Sequence, residues 1–174
     1  MKLTLTTIAL FFFLLFSRAQ EIYKNDKYQF EIEFPDFFEE KEEDRDDMHV
    51  ISLSATHNKM ILLTSIFEYK EKIPQDEYNL KEVESLVLTA DAFKSKFKVK
   101  KLTKWKVGQF EGYRNPIKGK VKTQKGTKLN YYGCMYVLVI KEGLEFRVTI
   151  LAQNKKYYLS QIEKDFVASI KLSQ

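Results

Sequence analysis

Glycine is absent from the first 107 residues; all six lie between 108 and 143. A calcium loop needs oxygen ligands at alternate positions and a glycine for its sharp turn, so the acidic stretch 39–47 lacks a necessary part. Cys134 is the only cysteine, which excludes an internal disulfide and leaves packing alone to hold the fold. Two histidines, His49 and His57, supply hydrolytic dyads poorly. They fall on one parity eight residues apart, about 27 Å along a straight strand, too far to share an ion. No GxSxG elbow, Walker loop, GxGxxG fingerprint or HExxH pair is present. We therefore assign no catalytic residue, no metal ligand and no cofactor, and expect a protein that is not an enzyme.

What is present begins with a leader. Lys2 precedes an apolar run from Leu3 to Phe16, and Ser17-Arg18-Ala19 sets small residues where a signal peptidase reads them. The run is shorter than the roughly 20 residues of a spanning helix, which favours a cleaved signal over an uncleaved anchor. Residues 1–19 are expected to be a cleaved signal peptide and 20–174 a single globular domain, exported to a periplasm or the cell exterior, with no transmembrane segment in the mature chain. A mature chain of that size can bury a core without staples.

Charge is unevenly laid out. Without the leader, 27 basic residues face 24 acidic ones. From Glu31 to Asp47 there are ten acids and two bases, whereas from Lys94 to Lys128 there are thirteen bases and one acid, Glu111. Such asymmetry steers charged partners without naming one.

Periodicity supplies the elements. Tyr28, Phe30, Ile32 and Phe34 alternate with polar residues, a half-buried strand stopped by Pro35. Val50–Ala55 and Met60–Tyr69 read as a hairpin around Thr56-His57-Asn58-Lys59. Leu80, Val83, Leu86, Val87, Ala90 and Phe93 recur at helical spacing, predicting a helix over about 79–95 behind Asn79 and Glu82. Gln109–Val121, Thr127–Ile140 and Leu144–Leu151 read as an antiparallel meander, with bends or bulges expected at Gly112, Gly119 and Gly133. A second helix is expected over about 155–168, then a short strand at Ser169–Leu172.

Four features could carry function. The acidic run reads as a solvated connection between strands, with a loose divalent-cation site as the alternative. The histidines read as unrelated residues at strand ends. Cys134, inside a strand, reads as a buried free thiol without the base that a nucleophile needs. The fourth is a lysine row: Lys98, Lys100, Lys104 and Lys106 take one parity of a strand, while Val99, Thr103, Trp105 and Val107 take the other. Lysines can simply guard a sheet edge against aggregation. Joined to Trp105 they also form the best candidate binding surface, for a protein partner or an anionic envelope component. Charge with aromatics suits nucleic acid too, but export argues against it, and no nucleic-acid partner is expected.

The order of these elements resembles the PsbP-like superfamily. The residues that carry the resemblance are Tyr28-Gln-Phe-Glu-Ile-Glu-Phe-Pro35 at the start, and Leu144-Glu-Phe-Arg-Val-Thr-Ile150, Tyr157–Phe166 and Ser169-Ile-Lys-Leu172 at the close. The resemblance implies an α+β fold, an α/β/α sandwich around a central antiparallel sheet with about two main helices. It also implies action by binding, as in the superfamily's exported bacterial members. Together these readings point to a non-enzymatic exported binding or assembly protein. The alternatives are an envelope carrier of an apolar ligand or hydrophobic peptide segment and, more weakly, a small hydrolase.

Overall fold

The computed structural model describes residues 20–71, 98–99, 103–122, 127–141, 143–154 and 161–173. The expected signal peptide and the expected helix at 79–95 lie outside these residues. Among these residues eleven strands and one helix follow in chain order: β1 Glu21–Asn25, β2 Phe30–Phe34, β3 Phe38–Asp44, β4 Met48–His57, β5 Met60–Tyr69, β6 Lys98–Val99, β7 Thr103–Val107, β8 Phe110–Lys122, β9 Lys128–Lys141, β10 Leu144–Ala152, α1 Gln161–Ala168 and β11 Lys171–Leu172.

All pairings are antiparallel. The small sheet runs β1-β2-β11, and the large one runs β3-β4-β5-β10-β9-β8-β6, with β7 also on β8. The small sheet lies over one face of the large one. Phe30, Ile32 and Phe34, the predicted apolar face of β2, are all buried there. Each contributes about 1.5–3 kcal/mol through burial. The Phe30 ring stands 4.4 Å from that of Phe146 on β10. Leu138, Phe146, Val148 and Ile150 complete this core, and Phe166 of α1 closes it against Phe34 at 5.1 Å. A smaller apolar cluster of Ile117, Met135, Val137 and Leu151 occupies the other face of the large sheet.

The expected α/β/α sandwich with two main helices is overturned. Strands dominate the described residues, and the one helix described there is eight residues long. Two strands were not expected, one in a stretch given no element and one in the acidic run read as a solvated connection. Glu21–Asn25 pairs along the whole of β2, and the acidic run pairs along β4 from Phe38↔Ala55 to Asp44↔His49. The reason is that hydropathy reports where side chains prefer to be, whereas strand formation depends on what the backbone meets. β3 is exposed along most of its length, so its carboxylates stay hydrated while its backbone completes a ladder.

Local chemistry explains the turns. The β4–β5 hairpin closes on two residues, Asn58 and Lys59, both with positive φ (46° and 64°). That backbone matches the right-handed twist of the flanking strands. Gly108, at φ 55°, opens the two-residue turn from β7 to β8. The expected bulges at Gly112, Gly119 and Gly133 do not occur, because the register runs straight through all three. Two of them matter for closeness instead. A Cβ on Gly112 or Gly133 would stand 2.1 Å from a carbonyl oxygen of the neighbouring strand.

Candidate functional site

The lysine row divides between two short strands on the same flank of β8. In β7 the predicted alternation is intact. Trp105 and Val107 pack against the main core, while Lys104 and Lys106 are exposed on the other parity. The half-buried Trp105 ring meets Tyr136 edge-on at 4.8 Å, so the indole anchors the strand more than it faces solvent. Lys106 pairs with Glu111 across the turn at 2.5 Å. That hydrogen bond, reinforced by the charges of Lys106 and Lys104, holds the Glu111 carboxyl below its ordinary range. Lys104 carries no ion pair among the described residues.

β6 does not continue this alternation. Lys98 pairs with Lys118 and Val99 with Ile117, while Thr103 pairs with Arg114. Between the two strands the register slips by one residue, and a one-residue slip exchanges the faces of a strand. Lys98 therefore holds the register position of the face opposite to that of Lys104 and Lys106. Lys100 lies outside the described residues. The structure thus brings Lys104 and Lys106 together beside the Trp105 anchor and sets Lys98 against β8.

The sequence reading passed over β8 itself. Arg114, Lys118 and Lys120 share the face of Tyr136 and Tyr132. Arg114 donates from Nε to the Tyr136 hydroxyl at 3.1 Å, and Lys118 Nζ lies 5.3 Å from the centre of the Tyr132 ring. Their even numbering within a strand was the available signal. It was masked because Pro116 and Gly119 interrupt the polar pattern.

The acidic pole is the opposite edge of the same sheet. Six strand spacings separate β3 from β6, about 28 Å. Lys41 and Arg45 both donate to Glu43, at 3.2 and 3.3 Å, and lower its affinity for a proton. His49 faces Asp44 at 2.7 Å. Among the described residues no three His, Cys, Asp or Glu side chains gather as a metal site.

Other polar groups have structural roles. Glu145 is fully buried on the large sheet, where Arg147 donates to it from two nitrogens and Tyr69 donates its hydroxyl at 3.2 Å. Cys134 is buried in β9, with its thiol directed to the Met135 carbonyl. A pocket of about 450 Å³ is lined by Gln20, Glu21, Pro35, Asp36, Phe37, His57 and Asn58. It sits at the β4–β5 turn, not between sheet and helix as an apolar carrier would require, and polar and apolar groups share its lining about equally.

These strands and layers can be compared with known proteins. No family model matches the sequence, and no curated protein matches it. The solution structure of cyanobacterial PsbP (CyanoP) from Synechocystis sp. PCC 6803 is similar, with a TM-score of 0.62 over 89% of this chain and 93% of that one. The chain has a PsbP-like fold. At 10% identity the likeness concerns the fold alone. It bears out the resemblance drawn from the element order, while the helix content expected from it does not hold over the described residues. Among those residues no helix is long and apolar enough to cross a membrane.

Proposed function

We propose that the chain is a non-enzymatic, exported binding or assembly protein. Residues 1–19 act as a cleaved signal and residues 20–174 form one domain. It acts in the periplasm or outside the cell, and its contact surface is the basic flank of the large sheet. That surface is centred on Lys104 and Lys106, with Trp105 holding the strand in place, while Lys98 stands at the register position of the other face. The partner is a protein or an anionic component of the envelope.

The observation that carries this reading is the separation of charge to the two edges of one sheet. A lysine-lined edge repels other lysine-lined edges and attracts anionic surfaces, and both effects favour a specific partner over self-association. The absence of a catalytic constellation in the sequence and the structural use of Glu145 support the non-enzymatic part. The likeness to CyanoP supports it only through the fold, and fold does not determine function.

The test is capture by the 20–174 domain from envelope extract, run beside a variant with Lys104 and Lys106 changed to Glu. The expected result is loss of a salt-sensitive bound set. An unchanged bound set would show that this flank is not the contact surface.

A further inference from the structure

We infer that the cavity at the β4–β5 turn is a binding site for a small organic cation, an ammonium or guanidinium group carried on a short apolar stem. It lies away from the lysine flank, with β10, β9 and β8 between them in the sheet order. It relies on the reading above only for the 20–174 boundary.

Three places in the chain build the cavity. The start of β1 brings Glu21, the β2–β3 connection brings Pro35, Asp36 and Phe37, and the β4–β5 turn brings His57 and Asn58. Register explains the convergence. Glu21 pairs with Phe34 at the end of β2, and β3 enters the large sheet at Phe38↔Ala55, so the residues just before Phe38 run beside the end of β4. The volume of about 450 Å³ falls in the range of small-molecule sites and exceeds what a bare ion needs.

Each carboxylate is fixed through one oxygen. Glu21 Oε2 accepts from the Phe38 backbone N–H at 3.2 Å, and Asp36 Oδ1 accepts from the Phe37 backbone N–H at 3.0 Å. The second oxygen of Asp36 stands 3.6 Å from Nδ1 of the buried His57 ring. Asn58 donates its side-chain N–H to His57 Nε2 at 2.8 Å, which places the ring proton on Nδ1, toward Asp36. The imidazole therefore steadies the carboxylate without bringing a positive charge into the cavity. Phe37 stands at the rim with 70% of its surface exposed, and Pro35 adds a second apolar wall.

This lining selects among ligand classes. Two carboxylates repel an anion, and among the described lining residues there is no lysine or arginine to hold one. Among the described residues no three metal-ligating side chains gather, so the donors do not suit a bare metal ion. The cavity lies on the acidic pole, since Glu31 to Asp47 holds ten acids and two bases, and that field concentrates cations. An exposed aromatic face beside carboxylates attracts an ammonium or guanidinium through both ring and charge. The stem of such a ligand would lie against Pro35 and Phe37. Free amines and the basic side chains of a peptide share this chemistry.

The experiment uses the 20–174 domain with its amino terminus acetylated, so that no α-ammonium at Gln20 competes. Isotope-labelled domain is titrated with agmatine and cadaverine, with capped alanine-flanked arginine and lysine tripeptides, and with neutral N-acetylglucosamine and anionic glutarate. The expected result is saturable binding of cations alone, weakened by salt, with amide shifts concentrated at 36–37 and 57–58. Binding by either cation set supports the site, and the tighter set names the source. D36N and E21Q keep an oxygen for the Phe37 and Phe38 N–H groups and remove only charge. Each should weaken the cation about fivefold, and both together about tenfold or more, with an unchanged thermal melt. F37A should cost about threefold. Binding of N-acetylglucosamine as tight as that of the cations, shifts that avoid 36–37 and 57–58, or an affinity unmoved by D36N/E21Q would each overturn the proposal. K104E/K106E should leave cation binding unchanged. Failure of the envelope capture above with cation binding intact would sink the flank reading and leave this one standing.

Discussion

The two edges of the large sheet are both exposed and strongly charged, yet they are built differently. At the β3 edge two of the carboxylates are tied back into the protein. Glu43 accepts from Lys41 and Arg45, Asp44 faces His49, and Lys70 donates to the Arg45 and Asp46 carbonyls to close the β3–β4 turn. Phe38 roots the strand, with its ring 5.8 Å from Tyr23 and 4.8 Å from Phe34. On the β6–β7–β8 side, Lys106 has Glu111, but Lys104, Lys120 and Lys128 have no ion partner among the described residues. An exposed edge strand invites pairing with another chain, and charge of either sign discourages it. The acidic edge does this with partial internal compensation. The basic side leaves its charge unspent, and for that reason we place binding there.

The comparison can be broken most severely at the aromatic roots. Phe38→Ala should cost about 2–3 kcal/mol by removing two ring contacts from the core beneath β3. Trp105→Ala should cost a similar or smaller amount, about 1–3 kcal/mol, because the indole is only half-buried against Tyr136. Denaturant unfolding of both variants measures this. A Trp105 variant as stable as the wild type would mean that the indole is presented to a partner instead.

A middle-sized effect concerns pH. Burial is the main cause that pushes the Tyr23 hydroxyl from 10.0 up to about 12, with the carboxylates of Glu40 and Glu42 adding to it and the Asn25 hydrogen bond opposing it. A raised folded-state value means that the neutral phenol is favoured by folding. The contribution is therefore complete below pH 10 and is lost between pH 10 and about 12. Melting temperature followed through that window should fall more steeply for the wild type than for Tyr23→Phe. Parallel curves would show that Tyr23 does not link the acidic edge to alkaline unfolding.

The smallest effect should come from neutralising the acidic edge itself. Glu39→Gln with Glu43→Gln alters only exposed groups, and exposed ion pairs contribute little. The expected outcomes are a thermal melt indistinguishable from the wild type and unchanged capture of envelope partners. A gain in self-association would show that these carboxylates guard the edge.

Much of this was legible in the residues. Alternation located β2, the β4–β5 hairpin and the three long strands of the meander, because burying one face of a sheet imposes a period of two. The Lys–Trp–Lys alternation of β7 was legible for the same reason. The strand character of 38–44 was not, since its side chains are those of a solvated loop and only the neighbouring β4 backbone makes it a strand. That Arg114, Lys118 and Lys120 share one face was legible by parity, but nothing local could say that this is the face of Tyr132 and Tyr136.

By itself the sequence determined the alternating faces, a turn within Thr56–Lys59, the lone thiol and the separation of acid from base along the chain. These follow from local backbone preference and hydropathy. Only the tertiary structure decided that the separated charges stand at opposite edges of one sheet, and that Lys98 parts company with Lys104 and Lys106. Both outcomes depend on register with strands far away in sequence. A slip of one residue reverses which way a side chain points without changing a single local preference.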